Sequence, residues 1–292
     1  MSAVAASLPR TIARPFIWLA LFVLAILATQ SPITSVVLLG FVYARLHLRI
    51  TGNAIVGLWA KIKFGVAGTL TLASLTLIPG ILWTFAWHAG WDNSFNKGYE
   101  QAAVGPLTGV LGIVIFLLIM PYVQIAQASH MATGDWRAFY RIRENLKLWS
   151  GAPISAALLP VLYALAGLPL FLLFALPTFL PQMTNYADVT DAEVLGRLRA
   201  WYLLGGLLFV PLLFGIKRAV VWVYLRAVTA TPRHTRLRLV ICYPIVAALW
   251  FLVVAQLFGG QFINNHGAQG WLNLPLIQLP WVNRVPPGIV SG

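Results

Sequence analysis

The chain has 292 residues, of which 60% are hydrophobic and 9% charged, and its formal net charge at pH 7 is +13. Soluble domains carry roughly 25% charged residues, so this composition excludes an ordinary water-soluble domain and predicts an integral membrane protein. The basic residues form short clusters beside apolar runs, which is typical of topogenic charge and of contact with anionic lipid headgroups rather than of nucleic-acid binding.

Apolar runs follow one another along most of the chain. They cover residues 16 to 30, 32 to 48, 64 to 90, 103 to 128, 152 to 180, 200 to 225 and 239 to 258. A hydrocarbon core about 30 Å thick needs roughly 20 helical residues, so the last five runs are long enough to cross it. The first two fall short, and Pro32 separates them, which predicts a short N-terminal helical hairpin that is spanning or re-entrant. The sequence therefore predicts an all-α, polytopic membrane protein with one helical domain over residues 16–258.

The distribution of basic residues gives this topology an orientation. Of the 20 Lys and Arg residues, all but four fall at one set of helix ends. The exceptions are Lys97, Arg197, Arg199 and Arg284. Because cytoplasmic loops carry an excess of Lys and Arg, we expect residues 1–15 to be cytoplasmic and the tail over residues 259–292 to be external.

Two expected cytoplasmic elbows resemble one another. Thr51-Gly52-Asn53 follows the second apolar run, and Thr133-Gly134-Asp135 follows the fourth. The similarity has two explanations, either duplication of a helical unit or coincidence in a sequence of biased composition.

The second elbow leads into a predicted amphipathic helix over residues 135–149. Asp135 can cap its N-terminus, and apolar and basic side chains then alternate at helical spacing. The side chains predicted to contact lipid headgroups or a partner are Trp136, Arg137, Phe139, Tyr140, Arg141 and Trp149. Such a helix is typical of a surface anchor on anionic lipid, and a docking surface is the alternative.

The tail over residues 259–292 contains several prolines, so the sequence predicts no further helix there. Its apolar content is high for a free tail. We expect it to lie against the outer membrane interface, against its own helices or against another protein. Trp271 and Trp281 are its predicted contact residues, and the partner would be a membrane protein or a second copy of the chain.

No familiar constellation for chemistry is present. The sequence lacks the common metalloprotease, hydrolase and phosphate-loop motifs, has one cysteine and has dispersed histidines, which we interpret as interfacial. The polar positions Gln124 and Gln127 indicate hydrogen bonds between helices or, alternatively, a permeation path. The side chains of Lys217 and Arg218 are expected to extend toward the inner interface. We therefore expect no catalytic residue, no cofactor and no metal site.

The arrangement resembles the prokaryotic membrane family catalogued as domain of unknown function 4013. The resemblance rests on Pro32, the Gly40-Phe41 pair, Arg45 and Arg49, and the elbow at residues 132–134. It implies a multispanning protein of the inner membrane of a prokaryotic cell and supplies no catalytic residue.

Two classes of function follow from these observations. The first is a non-enzymatic membrane subunit or scaffold, because the sequence shows spanning and interfacial features and no reactive motif. The second is an uncoupled permease or lipid-handling protein, because all acidic residues are expected in loops, whereas ion-coupled carriers commonly use a carboxylate inside the membrane.

Overall fold

The structure is a computed structural model that describes residues 10–87, 104–179, 190–230, 235–264 and 267–283. Within these ranges the chain is helical and contains no strand. The helices are α1 Arg10–Ala28, α2 Pro32–Thr51, α3 Leu58–Trp87, α4 Val104–Thr133, a 3₁₀ helix Trp136–Tyr140, α5 Ile142–Gly151, α6 Pro153–Phe179, α7 Asp191–Thr229, α8 Thr235–Leu249, α9 Phe251–Asn264 and α10 Gly267–Leu272. Most of the predicted N-terminal segment, residues 1–9, lies outside the described residues.

Six helical segments in these ranges are long and apolar enough to cross a membrane: α2, α3, α4, α6, α7 and the α8–α9 pair. The protein is thus an all-α, polytopic membrane protein, as predicted. The N-terminal hairpin is present, but its second helix is longer than predicted. It has 20 residues because it continues past the apolar run through Arg49 to Thr51, where Gly52 ends it.

The two elbows share one local geometry. Gly52 and Gly134 adopt left-handed backbone conformations, with φ of 76° and 72°. Each donates its backbone N–H to the carbonyl four residues earlier at 2.9 Å, and each preceding threonine hydroxyl accepts the N–H two residues later. Glycine adopts this conformation without a steric penalty, so it ends both helices in the same way.

The predicted amphipathic helix over residues 135–149 is broken, and this corrects the expectation of one continuous helix. Asp135 accepts the N–H of Arg137 at 3.0 Å and starts the 3₁₀ helix, but α5 begins only at Ile142. The Tyr122 hydroxyl donates to the carbonyl of Phe139 at 2.5 Å, and the Asn145 amide donates to the carbonyl of Ala138 at 3.0 Å. Side chains thus pair carbonyls that a continuous helix would use.

Helices α2 and α3 cross at two glycines. A Cβ at Gly40 would lie 2.0 Å from the carbonyl oxygen of Lys61, and one at Gly65 would lie 2.2 Å from that of Val36. Only residues without a side chain allow the two backbones to approach this closely. The crossing fixes α2, and with it Tyr43, against the rest of the bundle.

The last span is divided at Trp250. This fully buried residue lies in a turn between α8 and α9, and α9 runs on to Asn264, past the predicted domain boundary at residue 258.

Residues 267–283, which we call the C-terminal segment, fold back into the bundle. The segment contains helix α10, where no helix was predicted, and Trp271 lies 5.0 Å from Trp83 on α3. Pro280 accepts a hydrogen bond from the Ser35 hydroxyl at 2.9 Å through its carbonyl oxygen, and the Val282 N–H donates to the carbonyl of Thr29 at 2.9 Å. Of the three locations predicted for the tail, this segment occupies one: it packs against the protein's own helices. Such non-helical backbone is tolerated at membrane depth where protein surrounds it.

Candidate functional site

Lys217 is a fully buried basic side chain in the middle of the bundle. It lies on α7 with none of its surface exposed, whereas the neighbouring Arg218 is exposed. The expectation that both extend toward an interface is therefore wrong for Lys217. Helical geometry turns residue 217 toward α4 and the C-terminal segment, so its ammonium group finds its partners there and does not reach solvent.

Both partners of this ammonium group are neutral oxygens. The Lys217 Nζ donates to Gln127 Oε1 at 3.1 Å and to the carbonyl oxygen of Ile277 at 3.0 Å. Asp135, Glu144 and Glu193 lie at helix ends; Asp135 and Glu144 pair with Arg141, and Glu193 accepts the backbone N–H of Thr190. Within the described ranges, Lys217 thus forms hydrogen bonds but has no counter-ion.

Gln127 connects Lys217 to further polar groups. Its amide donates to the Tyr43 hydroxyl on α2 at 2.5 Å, and one turn earlier Gln124 accepts a hydrogen bond from the Tyr163 hydroxyl on α6 at 2.8 Å. We call these residues, with Lys217, the polar cluster. Each of its side chains belongs to a residue at most 2% exposed. The hydrogen bonds between helices predicted for both glutamines are present.

Hydrogen-bonding capacity remains in the cluster. Gln124 Nε2 is buried and makes no hydrogen bond to the described residues. In its protonated form the Lys217 side chain has three N–H donors, and two acceptors are present, so one donor remains available in that form. The site can therefore donate to an additional acceptor without losing its present partners.

His130 lies beside the cluster, one turn beyond Gln127. It is fully buried, and its ring makes edge contacts with Phe64 and Tyr43 at centroid distances of 4.9 and 5.8 Å. His130 lies in the last turn of α4, and aromatic side chains from α2 and α3 enclose it, so it is not exposed there; its interfacial depth stays a prediction.

An apolar cavity of about 110 Å³ adjoins the polar cluster and is partly open to the protein surface. Its walls come from α6, α9 and the C-terminal segment, and they include Phe171, Leu257 and Leu276. Tyr163 and Ile277 line this cavity and also take part in the polar cluster, Tyr163 through its hydroxyl and Ile277 through its carbonyl. The apolar cavity and the Lys217 side chain are thus separated by one layer of residues.

The contact residues predicted from the sequence fall into two groups. Exposed ones lie on the elbow, with the Trp136 and Tyr140 rings 6.0 Å apart and the Arg137 guanidinium 5.7 Å from the Trp136 ring centroid. They are Trp136, Arg137, Tyr140 and Arg141. The others are buried or half-buried in the protein: Phe139, Trp149, Trp271 and Trp281.

This division limits which residues can contact lipid. Trp149 packs 4.9 Å from Tyr243 on α8, and Phe139 is fully enclosed, so both stabilise the elbow from inside. The exposed group remains a predicted contact for anionic headgroups.

The sequence carried a signal for the polar cluster, because Gln124, Gln127 and Lys217 are polar residues within apolar runs. Their direction and depth depend on how the helices pack, and periodicity in one helix does not give that.

Comparisons with protein-family models, with curated proteins and with solved structures found no match to this chain. The resemblance to domain of unknown function 4013 therefore stays a prediction. Among the described residues, no group of three His, Cys, Asp or Glu side chains lies close enough to hold a metal ion.

Proposed function

We propose that this protein is a non-enzymatic, uncoupled permease or lipid-handling protein that binds its ligand at the polar cluster. The observation that carries the proposal is Lys217, a fully buried ammonium group whose partners are neutral oxygens.

Such a group is costly to bury. Taking an ammonium ion out of water carries a penalty of several kcal/mol, and about two hydrogen bonds to neutral groups, at roughly 1.5–3 kcal/mol each, offset only part of it. An apolar side chain of similar length would avoid this cost. Ionisable residues inside membrane proteins are typical of ligand or ion pathways, so a binding role explains Lys217 better than packing does.

The chemistry of the cluster favours a ligand that accepts hydrogen bonds and carries negative charge. Its groups are an ammonium, two amides and two hydroxyls, and the described carboxylates lie outside it at helix ends. Protons or cations would require an acidic partner at the site, so we propose movement or binding that is not coupled to them.

Native mass spectrometry after mild extraction from the source membrane tests this function. We expect the wild-type protein to retain one reproducible small molecule or lipid, and Lys217→Gln to lose it. Arg218→Gln is the matched control, because it removes one positive charge from the adjacent exposed position and should retain the ligand.

The first choice from the sequence is a membrane subunit or scaffold, with the permease or lipid-handling protein as its alternative. A protein partner at fixed stoichiometry, with no small molecule retained by either form, would overturn the binding proposal and favour the subunit or scaffold role. The exposed elbow residues Trp136 and Tyr140 would then be the first surface to examine.

A further inference from the structure

We propose that the ligand is a single-chain amphiphile with a carboxylate head, whose chain enters the apolar cavity and whose head binds at Lys217. This inference rests on the proposed function and adds the chemical class of the ligand.

The first argument is that the two sites share two residues, Tyr163 and Ile277. Tyr163 presents its ring to the cavity and donates its hydroxyl to Gln124 at 2.8 Å. Ile277 lines the same cavity, and its carbonyl accepts from Lys217 at 3.0 Å. A chain in the cavity therefore lies one residue layer from Lys217, and the head of the amphiphile must pass between Tyr163 and Ile277 to reach it.

The second argument is the shape and lining of the cavity. A volume of about 110 Å³ is somewhat below the roughly 150 Å³ of an engineered apolar cavity that binds benzene, so it holds a stretch of about four chain carbons. The opening lets a longer chain extend out of the protein. Aromatic and aliphatic walls, including Phe171 and Leu257, match a hydrocarbon chain and offer few polar partners.

The third argument is charge complementarity. Hydrogen bonds between an ammonium and a carboxylate are shorter and stronger than those to neutral carbonyls. Gln124 lies one turn of α4 before Gln127, the partner of Lys217, so we expect the available Lys217 donor and the unpaired Gln124 Nε2 to donate to the two oxygens of one carboxylate. A neutral head would leave the buried charge uncompensated, and a cationic head would be repelled.

The test uses decanoate as the probe, with decanol and decyltrimethylammonium as chain-matched controls. Radiolabelled probe is equilibrated by dialysis with the full-length protein in phosphatidylcholine nanodiscs, and binding to empty nanodiscs is subtracted. We expect saturable binding of about one decanoate per protein, and at least about tenfold weaker binding of both controls. Equal binding of all three probes would overturn the proposal.

Two variants separate the chain site from the head site. Gly260 lines the cavity and has room for a Cβ, with the nearest atom of Phe171 at 3.7 Å. We expect Gly260→Leu to weaken decanoate binding at least about tenfold, and Lys217→Gln to remove the preference for decanoate over decanol. Gly215→Leu is the control, because a Cβ at Gly215 meets nothing within 4 Å and the residue is exposed.

A crosslinking measurement on the wild-type protein tests the cavity without any variant, so its result does not depend on whether the variants fold. A decanoate analogue with a diazirine on its chain should crosslink to α6, α9 or the C-terminal segment, with excess decanoate competing. Crosslinks confined to lipid-facing helix surfaces would refute the cavity as the chain site. If decanoate failed to bind while native mass spectrometry still showed a Lys217-dependent ligand, this inference would fall and the proposed function would stand.

Discussion

The close crossing of α2 and α3 leads to a prediction that can be worked out in magnitude. Gly40→Ala places a Cβ 2.0 Å from the carbonyl oxygen of Lys61, whereas ordinary van der Waals contact lies between 3.4 and 4 Å. The two helices must therefore separate by more than an ångström, because the opposing atom is backbone and cannot rotate away. Such overpacking costs typically about 1–3 kcal/mol in a packed interior.

Gly215→Ala is the matched control for this prediction. The same methyl group on α7 meets nothing within 4 Å, and alanine is the better helix former by roughly 0.5–1 kcal/mol, so we expect unchanged or slightly raised stability. A change of 1 kcal/mol shifts Tm by about 2–4 °C in soluble domains of 150–250 residues. On that scale, Gly40→Ala should lower Tm by about 2–12 °C.

The assay is thermal unfolding of both variants and the wild-type protein in the same detergent, followed by intrinsic tryptophan fluorescence. Size-exclusion chromatography before heating establishes that each variant is monodisperse. If Gly40→Ala and Gly215→Ala melted at the same temperature, the close approach of α2 and α3 would be incorrect.

Three further predictions concern other parts of the structure. Ser35→Ala leaves a buried carbonyl of the C-terminal segment unpaired, which should cost about 1–3 kcal/mol. Thr34→Ala removes an exposed hydroxyl and should have little effect. Equal Tm values for the two variants would contradict the docking of this segment. Phe139→Ser should destabilise the protein by about 3–5 kcal/mol because the side chain is fully buried. Trp136→Ser should preserve Tm and weaken retention of anionic lipid. The reverse pattern would make Trp136 the packing residue and Phe139 the lipid contact. Asn145→Leu should lower the free energy of unfolding by about 1–3 kcal/mol, because the Asn145 side chain bonds to groups on α4 and on the 3₁₀ helix. If the elbow kept its resistance to protease in this variant, Asn145 would not be holding it in place.

The helices were largely predictable because their length and apolar composition reflect local chemistry and membrane thickness. The elbows at Gly52 and Gly134 belong to the same category, since a glycine after an apolar run ends a helix through its own backbone freedom. In the broken helix over residues 135–149, one competing hydrogen bond comes from Asn145 within it and the other from Tyr122 on α4. Tyr122 lies 17 residues before Phe139 and donates its hydroxyl to the Phe139 carbonyl, and no pattern within the elbow shows that bond.

The site residues illustrate the same division. The sequence placed Lys217 and Arg218 side by side near a helix end, but it did not distinguish the buried cation from the exposed one. It indicated that the tail was apolar without showing that Ile277 would reach Lys217. These facts depend on which helix faces meet.

The sequence by itself thus determined the membrane class, the helical composition and the two glycine elbows, because each follows from residues close together in the chain. Only the tertiary structure decided the depth of Lys217, the inward path of the C-terminal segment and the cavity beside the polar cluster. Those features arise where helices separated by many residues pack together, and the free energy of burying a charge is set by all of the neighbours that packing supplies.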